Sequence, residues 1–360
     1  MATDAFPVRL VCPRCRVPGA DGRLVVSLLE EDGAAEEGGP GSDLCPRCGT
    51  RYPRVDGVRC VPPDLPRFLA AQAAALPPDG PSYAPVEGEP LRRAAEALEP
   101  GGDPFREALF LGAHALAHFP IGAGPFEEHL RGNLRTVSAL ARWLGRHPAP
   151  AGAPAGCLLE AGCGPGAFLH AAAPLFPAGA LGLDLRAGVL RLARRLADHG
   201  EAVVPVRVEG RRFEAARVAV PAASRAGAGG IALVQGDVLA PPFEAGAFPA
   251  VAALSLLDTV VDPIVALGQL DALLAPGGLL LLASPWSWDE RATPPEEWWS
   301  GSSLASGPLL RAALAGRHPA LPHLRYEPLE EADGLAWSVP GHARLVHRFA
   351  LDAVLARKAG

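Results

Sequence analysis

The sequence predicts an α/β fold, a parallel sheet interleaved with helices, preceded by a small cysteine-held module. Three observations predict it. Two CPRC motifs lie near the N-terminus, at residues 12–15 and 45–48. A short apolar segment, CLLEA (157–161), runs straight into the glycine-rich turn GCGPGAF. Four more apolar segments follow, at 180–185, 231–239, 248–258 and 273–285, and three of them carry an aspartate at or near the end. Apolar runs of strand length, separated by helix-length stretches, are the pattern of a parallel sheet with helical crossovers.

Composition excludes several functions. The 360 residues suffice for one large domain with an appendage, and 49% hydrophobic against 20% charged residues is a globular balance. A net charge of -6 argues against a nucleic-acid surface, which needs clustered lysine and arginine. No apolar run approaches the ~18 residues of a membrane span, and MATDAFPVRL lacks the basic and apolar parts of a secretory leader. A cytoplasmic protein is expected.

In a reducing compartment, paired CxxC motifs read as metal ligands before disulfides. Cys12, Cys15, Cys45 and Cys48 supply the four thiolates of a closed tetrahedral zinc site, which leaves no position for a reacting water. The metal is therefore expected to be structural, in a ribbon domain spanning 1–63 whose folding is coupled to metal and which leaves the rest of the chain intact when stripped. The acidic, glycine-rich EEDGAAEEGGPGSD between the knuckles reads as a loop. In the second half, CPRCGTRYPRVDGV resembles the small zinc-ribbon proteins that activate methyltransferases. That resemblance implies a docking or stabilising module, with a protein partner as a possibility.

Residues 64–152 read as a helical linker region. PLRRAAEALEP, FREALFLGAHALAHF and FEEHLRGNLRTVSALARWLG have apolar residues at helical spacing, the last most clearly. His114 and His118 stand one turn apart and, with no acidic or cysteine partner nearby, read as an ordinary helix face. RHPAPAGAPAG leads into the main domain, 153–360.

Function concentrates at the ends of the apolar segments. Glu160 closes the first, and Gly162, Gly164 and Gly166 form a turn in which backbone can approach a ligand closely. Asp184 ends the second, placed for ribose hydroxyls; Asp237 ends the third, placed for an adenine amino group. A glycine turn alone also fits a nicotinamide enzyme. The whole order, though, resembles the class I S-adenosylmethionine-dependent methyltransferases, which implies a Rossmann-like seven-stranded fold. By that resemblance Glu160, Gly162, Cys163, Gly164 and Gly166 hold the methionine part of S-adenosylmethionine. Asp184 and Leu185 hold its ribose, Asp237 and Val238 its adenine, and Ser255 flanks the site.

The acceptor is read from three further stretches. LSLLDTVVDP, SPWSWDERATPPEEWW and WSVPGHARLVHRFALDAVLARK resemble the methyltransferase domains that alkylate an imidazole nitrogen of thiol-bearing histidine in ovothiol-type biosynthesis. Ser255 stands where asparagine is usual there, Trp286 where tyrosine is usual and Gly341 where an arginine often sits. Asp258 is then the expected catalytic residue, a carboxylate that fixes the imidazole tautomer. Asp262, directly before Pro263, is the better helix cap. Trp286, Trp288, Trp298 and Trp299, on an aromatic loop at 286–316, are the expected walls for a flat substrate, a small molecule or peptide. Two other readings remain at this level: a zinc-ribbon RNA base methyltransferase, and a non-catalytic cofactor-binding partner protein.

Overall fold

The computed structural model describes residues 6–18, 24–32, 42–55, 57–67, 103–119, 127–148, 156–224, 230–299 and 304–360. The N-terminal module consists of short strands: β1 (Val17–Pro18), β2 (Leu24–Val25), β3 (Glu30–Asp32), β4 (Ser42–Leu44), β5 (Arg51–Val55) and β6 (Val58–Cys60). Two helices follow, α1 (Asp103–His118) and α2 (Glu127–Arg146). PLRRAAEALEP lies outside the described residues.

The main domain begins with β7 (Leu158–Ala161), α3 (Ala167–Ala172), β8 (Ala180–Asp184) and α4 (Ala187–His199). A hairpin, β9 (Glu201–Glu209) and β10 (Arg212–Ala219), precedes β11 (Ile231–Gln235) and β12 (Phe248–Leu254). Then come α5 (Pro263–Leu273), β13 (Leu274–Ser284), α6 (Ser306–Leu314) and a long closing hairpin, β14 (Tyr326–His342) with β15 (Leu345–Lys358).

One sheet runs through the molecule in the order β14-β15-β13-β12-β7-β8-β11-β6-β5-β4-β3. Its seven strands from β14 to β11 are those expected of the main domain. The total is eleven because the N-terminal module joins in: β6 pairs parallel to β11, with Val234 opposite Arg59 and Gln235 opposite Cys60. The chain starts in the middle at β7, winds outward through β8 to β11, and returns to β12 on the other side. Such a reversal splays the connections apart beyond the carboxyl ends of β7 and β12, and a crevice opens there.

Successive side chains of each strand face opposite sides, and the two sides bury different partners. Leu158, Ala250 and Leu281 pack with α1 to α4, whereas Leu159, Val251 and Leu280 pack with α5, α6 and the N-terminal module. Leu111 and Ala115 of α1, with Val137 and Leu140 of α2, belong to the first core. These helices are thus part of the main fold and not a linker. Gly112 makes this close packing possible, since a Cβ there would lie 2.0 Å from the carbonyl oxygen of Pro205 on β9.

A buried amide fixes how α1, α2 and β14 meet. Asn133 on α2, fully buried, donates from Nδ2 to the carbonyls of Ala117 (2.9 Å) and Ser338 (2.7 Å), and its Oδ1 accepts from the Ser338 N–H at 2.7 Å. One turn on, Thr136 donates to the Ala336 carbonyl at 2.8 Å. A satisfied buried network of this kind specifies one arrangement. It places His118 and Trp337, the neighbours of those carbonyls, beside each other. Asp262 caps α5 as expected, accepting from the Val265 N–H at 2.8 Å.

Candidate active site

The strand ends enclose a cavity of about 510 Å³. Glu160, Gly162, Gly164, Asp184, Leu185, Asp237, Val238 and Ser255 all line it, which brings together eight of the ten residues expected around the cofactor. The other two lie just behind: Gly166 is the N-cap of α3, and Cys163 is buried with its sulfur against Gly182. The turn needs glycine for its backbone conformation. Gly162, Gly164 and Gly166 have φ of 71°, 53° and 91°, in the left-handed region that side chains resist.

Each acid has a distinct environment. Glu160 is buried, and its Oε2 has no hydrogen-bond partner among the described residues. Burial, with repulsion from Asp184 added, raises its carboxyl well above the usual range. Asp184 accepts from the N–H of Gly164 (3.0 Å, Oδ2) and of Arg186 (2.9 Å, Oδ1). Burial pushes its carboxyl up while those two N–H groups pull it back. Asp237 accepts from the Leu239 N–H at 2.9 Å and stays half-buried. The loop it belongs to is braced by the N-terminal module. Val61 donates to the Gln235 carbonyl at 2.7 Å, and Val11 to the Pro242 carbonyl at 3.0 Å.

The cavity also takes in residues not expected there from the sequence, His114, His118 and Trp337 among them. His114 and His118 of α1 line the cavity, as does Trp337 of β14, whose ring meets that of His118 edge-on at 5.3 Å. Burial lowers the His114 imidazole to about 4 and that of His118 to about 3, so both are neutral at ordinary pH. The only signal for the two histidines was their i, i+4 spacing on an apolar helix.

Asp258 and the tryptophans are placed differently from the expectation. Asp258 is fully buried and is not among the residues lining the cavity. Its Oδ2 accepts from the Ser287 N–H (2.8 Å) and hydroxyl (3.1 Å), and its carbonyl accepts from the Asp289 N–H. Ser287 lies between Trp286 and Trp288, which have φ of 51° and 47°. Bulky residues held there carry strain of about 1–3 kcal/mol each, so the carboxylate clamps a strained turn. Trp286, Trp288, Trp298 and Trp299 stack on one another, with ring centroids 5.5 to 6.5 Å apart. They pack into the core shared with α5 and α6, on the side of the sheet opposite α1 and α2, and none of them lines the cavity. The physical reason is that the turn clamped by Asp258 directs the loop to that side. Asp258→Ala should lower stability by about 1–3 kcal/mol, because the strained turn at Trp286 and Trp288 loses the acceptor that holds its Ser287 donors. Asp258→Asn keeps an acceptor and should keep turnover near that of the unaltered protein. Thermal melts and initial rates check both.

The four CPRC cysteines converge. Their sulfurs all lie within 4.8 Å of one another, and the Cys12–Cys48 and Cys15–Cys45 pairs are each 3.8 Å apart. Sulfurs about 2.3 Å from one tetrahedral ion are separated by about 3.8 Å, so the donor set fits such an ion. Tyr52, Ser27 and Thr50 place hydroxyls against the sulfurs of Cys12, Cys45 and Cys48.

The sheet order, the glycine turn and the acids at successive strand ends define a Rossmann-like methyltransferase. Residues 126–330, more than half the chain, match the family described as "Methyltransferase domain", and the chain belongs to that family. It uses S-adenosylmethionine as methyl donor. No curated protein matches the chain. Among solved structures, magnesium protoporphyrin IX methyltransferase (ChlM) from Synechocystis PCC 6803 with bound SAH is similar at 12% identity and TM-score 0.38. That alignment covers 71% of this chain and 100% of that one. A complex of the Haloferax volcanii Trm112 methyltransferase activator with a putative methyltransferase is similar at 14% identity and TM-score 0.39, covering 65% of this chain and 92% of that one. The YcgJ protein from Bacillus subtilis is similar at 11% identity and TM-score 0.36, covering 63% and 99%.

The residues present fit the cofactor. Glu160 offers a buried, unpaired carboxylate oxygen suited to an ammonium group, and Asp184 retains acceptor capacity toward hydroxyls. Because burial and repulsion from Asp184 disfavour an ionised Glu160 without ligand, the uncharged Glu160→Gln should raise the melting temperature of the free protein and weaken S-adenosylmethionine binding. Such opposed effects are the usual stability–function trade at a binding site. Scanning calorimetry with and without cofactor measures both.

Proposed function

We propose that the protein methylates a neutral ring nitrogen, of the imidazole type, on a small molecule or peptide; thiol-bearing histidine is the nearest such class by resemblance. The observation that carries this reading is the character of the cavity away from the cofactor acids. Trp337 and Leu140 line it as flat or apolar surface beside the hydroxyls of Thr136, Ser255 and Thr259, and the arginines of the lining, Arg186 and Arg291, are each paired with an acid, Glu107 and Asp289. A flat uncharged acceptor suits that lining, whereas a polyanion does not. Ser255 has φ 53°, an unusual conformation for a side chain and one often retained at functional positions.

S-adenosylmethionine supplies an electrophilic methyl group when bound. The chain's part is to hold the acceptor in line with it and to keep water out. An imidazole has an unperturbed pKa of about 6.5, so its neutral form carries a free lone pair near neutrality and needs no protein base to attack. That accords with the seclusion of Asp258. The pH profile with an imidazole acceptor should therefore rise through the acceptor's own pKa and then level. A mass-spectrometric screen of imidazole-bearing metabolites and peptides tests the reading. Methyl transfer confined to thiols or carboxylates would overturn it.

We further propose that zinc is the ion of the four-cysteine cluster, that the ribbon primarily serves its own chain, and that the protein works in the cytoplasm. Pairing of β6 with β11 supports the second point, since the ribbon already occupies a partner surface. Among the described residues, no helix is long and apolar enough to cross a membrane.

A further inference from the structure

The glycine turn poses a problem for the cofactor it faces. The methionine half of S-adenosylmethionine ends in a carboxylate, which needs donors. Yet the backbone N–H groups of the turn are already engaged. Those of Gly162 and Cys163 donate to the Leu183 carbonyl, that of Gly164 to Asp184, and that of Gly166 to the Cys163 carbonyl. Pro165 has none. The N–H of Ala167, the first residue of α3, donates to Nδ1 of His118 at 3.4 Å. With the N–H groups from Gly162 to Ala167 taken, a side-chain donor beside the turn is the natural complement to the carboxylate.

α1 brings one. Glu107, Phe110, His114 and His118 recur at spacings of three, four and four, one stripe of a helix. Along that stripe Glu107 accepts from Arg186 at 3.0 Å, and the Arg186 guanidinium lies over the Phe110 ring at 4.0 Å. The His114 ring stacks on Phe110 at 3.7 Å. At the far end His118 abuts the turn, its Cε1 and Nε2 only 3.3 and 3.4 Å from where a Cβ on Gly164 would stand. The stripe therefore passes from the ribose acid, Asp184, to the turn.

The tautomers follow from the partners. His118 Nδ1 accepts from the Ala167 N–H, so in the neutral ring the proton is on Nε2. His114 Nδ1 lies 2.9 Å from the Phe110 carbonyl, which only accepts, so there the proton is on Nδ1 and Nε2 keeps a lone pair. One histidine offers the cavity a donor and the other an acceptor.

We infer that α1 forms part of the cofactor site, with His118 Nε2–H donating to the carboxylate of the methionine half and His114 Nε2 accepting from a ribose hydroxyl. This rests on the S-adenosylmethionine assignment and adds two residues to it, both from outside the strand-end loops. The neutrality of both rings agrees with these roles, since a charged His114 would have no lone pair to accept with.

Calorimetry on the full-length protein tests the inference with two ligands. S-adenosylhomocysteine has the amino-acid half; 5′-methylthioadenosine keeps the adenine, ribose and sulfur but lacks it. His118→Ala should weaken S-adenosylhomocysteine by roughly 10- to 100-fold, the worth of one hydrogen bond to a charged group, and leave methylthioadenosine within about twofold. His118→Phe, which fills the same space without a donor, should behave alike and decides the matter if the alanine variant does not fold. His114→Ala should weaken both ligands together, by roughly three- to tenfold. Unchanged S-adenosylhomocysteine affinity in the His118 variants would overturn the inference, and so would an equal loss for both ligands, which marks a purely structural residue. Failure of the unaltered protein to bind either ligand would instead sink the underlying cofactor assignment.

Discussion

Asp184→Ala is expected to lower S-adenosylmethionine affinity by on the order of 10²- to 10⁴-fold, the largest single effect at the site. Two charge-assisted hydrogen bonds to ribose hydroxyls would go, each worth about 1.5–3 kcal/mol. The loss extends to the turn itself. The Asp184 carboxylate holds the N–H of Gly164 on one side and that of Arg186 on the other, so its removal leaves two donors without their acceptor. Isothermal titration with S-adenosylmethionine measures the change. Affinity within a few-fold of the unaltered protein would take Asp184 out of the ribose role.

Residues such as Asp184 were legible in the sequence because their task is local. A strand that must end at a ligand leaves an apolar run, an acid and glycines in a fixed order, and Glu160, Gly164, Asp184 and Asp237 all line the cavity that results. His114, His118 and Trp337 were not legible in the same way. Their neighbourhood depends on Asn133 bonding to Ser338, 205 residues away, and no short window records such a contact. Asp258 shows a third case. An acid just past a strand end is placed equally well to meet a substrate or to clamp the next loop. The choice is made by Ser287, 29 residues on, whose partner could not be known from spacing. The tryptophans were misplaced for the same reason, since their loop follows the clamp.

Metal removal should have the second large effect. A ribbon this small has little core of its own, and its folding should depend on the ion at its four cysteines. The sequence alone suggested that stripping the metal would leave the main domain intact. The structure changes that expectation, because Leu10, Cys12, Tyr52 and Val61 share one core with Val234, Phe243 and Phe248. Chelation of the zinc-loaded protein, or Cys45→Ser, should lower the melting temperature of the whole chain. Cofactor affinity should also fall, by roughly tenfold, as the bonds from Val61 and Val11 no longer brace the Asp237 loop. Calorimetric melts and cofactor titrations before and after chelation, with zinc added back, check this. A chelated protein with unchanged melting and affinity would show the ribbon to be an independent appendage.

The continuity of the sheet has a consequence for solubility. A sheet that stopped at β11 would expose an edge, an open row of N–H and C=O groups able to recruit the same strand of another molecule. Here β6 pairs with the last two residues of β11, Val234 and Gln235, and the sheet is carried on to β3, a three-residue strand of sequence EED. So short and acidic a terminus is a poor template for intermolecular pairing. At the opposite edge β14 is interrupted at three points in its register and carries Pro328 and Pro340 together with Glu327, Glu330 and Glu331. Being covalently joined, the guard at β11 keeps its place at any dilution, whereas a separate subunit would leave as concentration falls. Shortening the chain to its catalytic half would uncover the end of β11 that β6 now covers, and aggregation should increase.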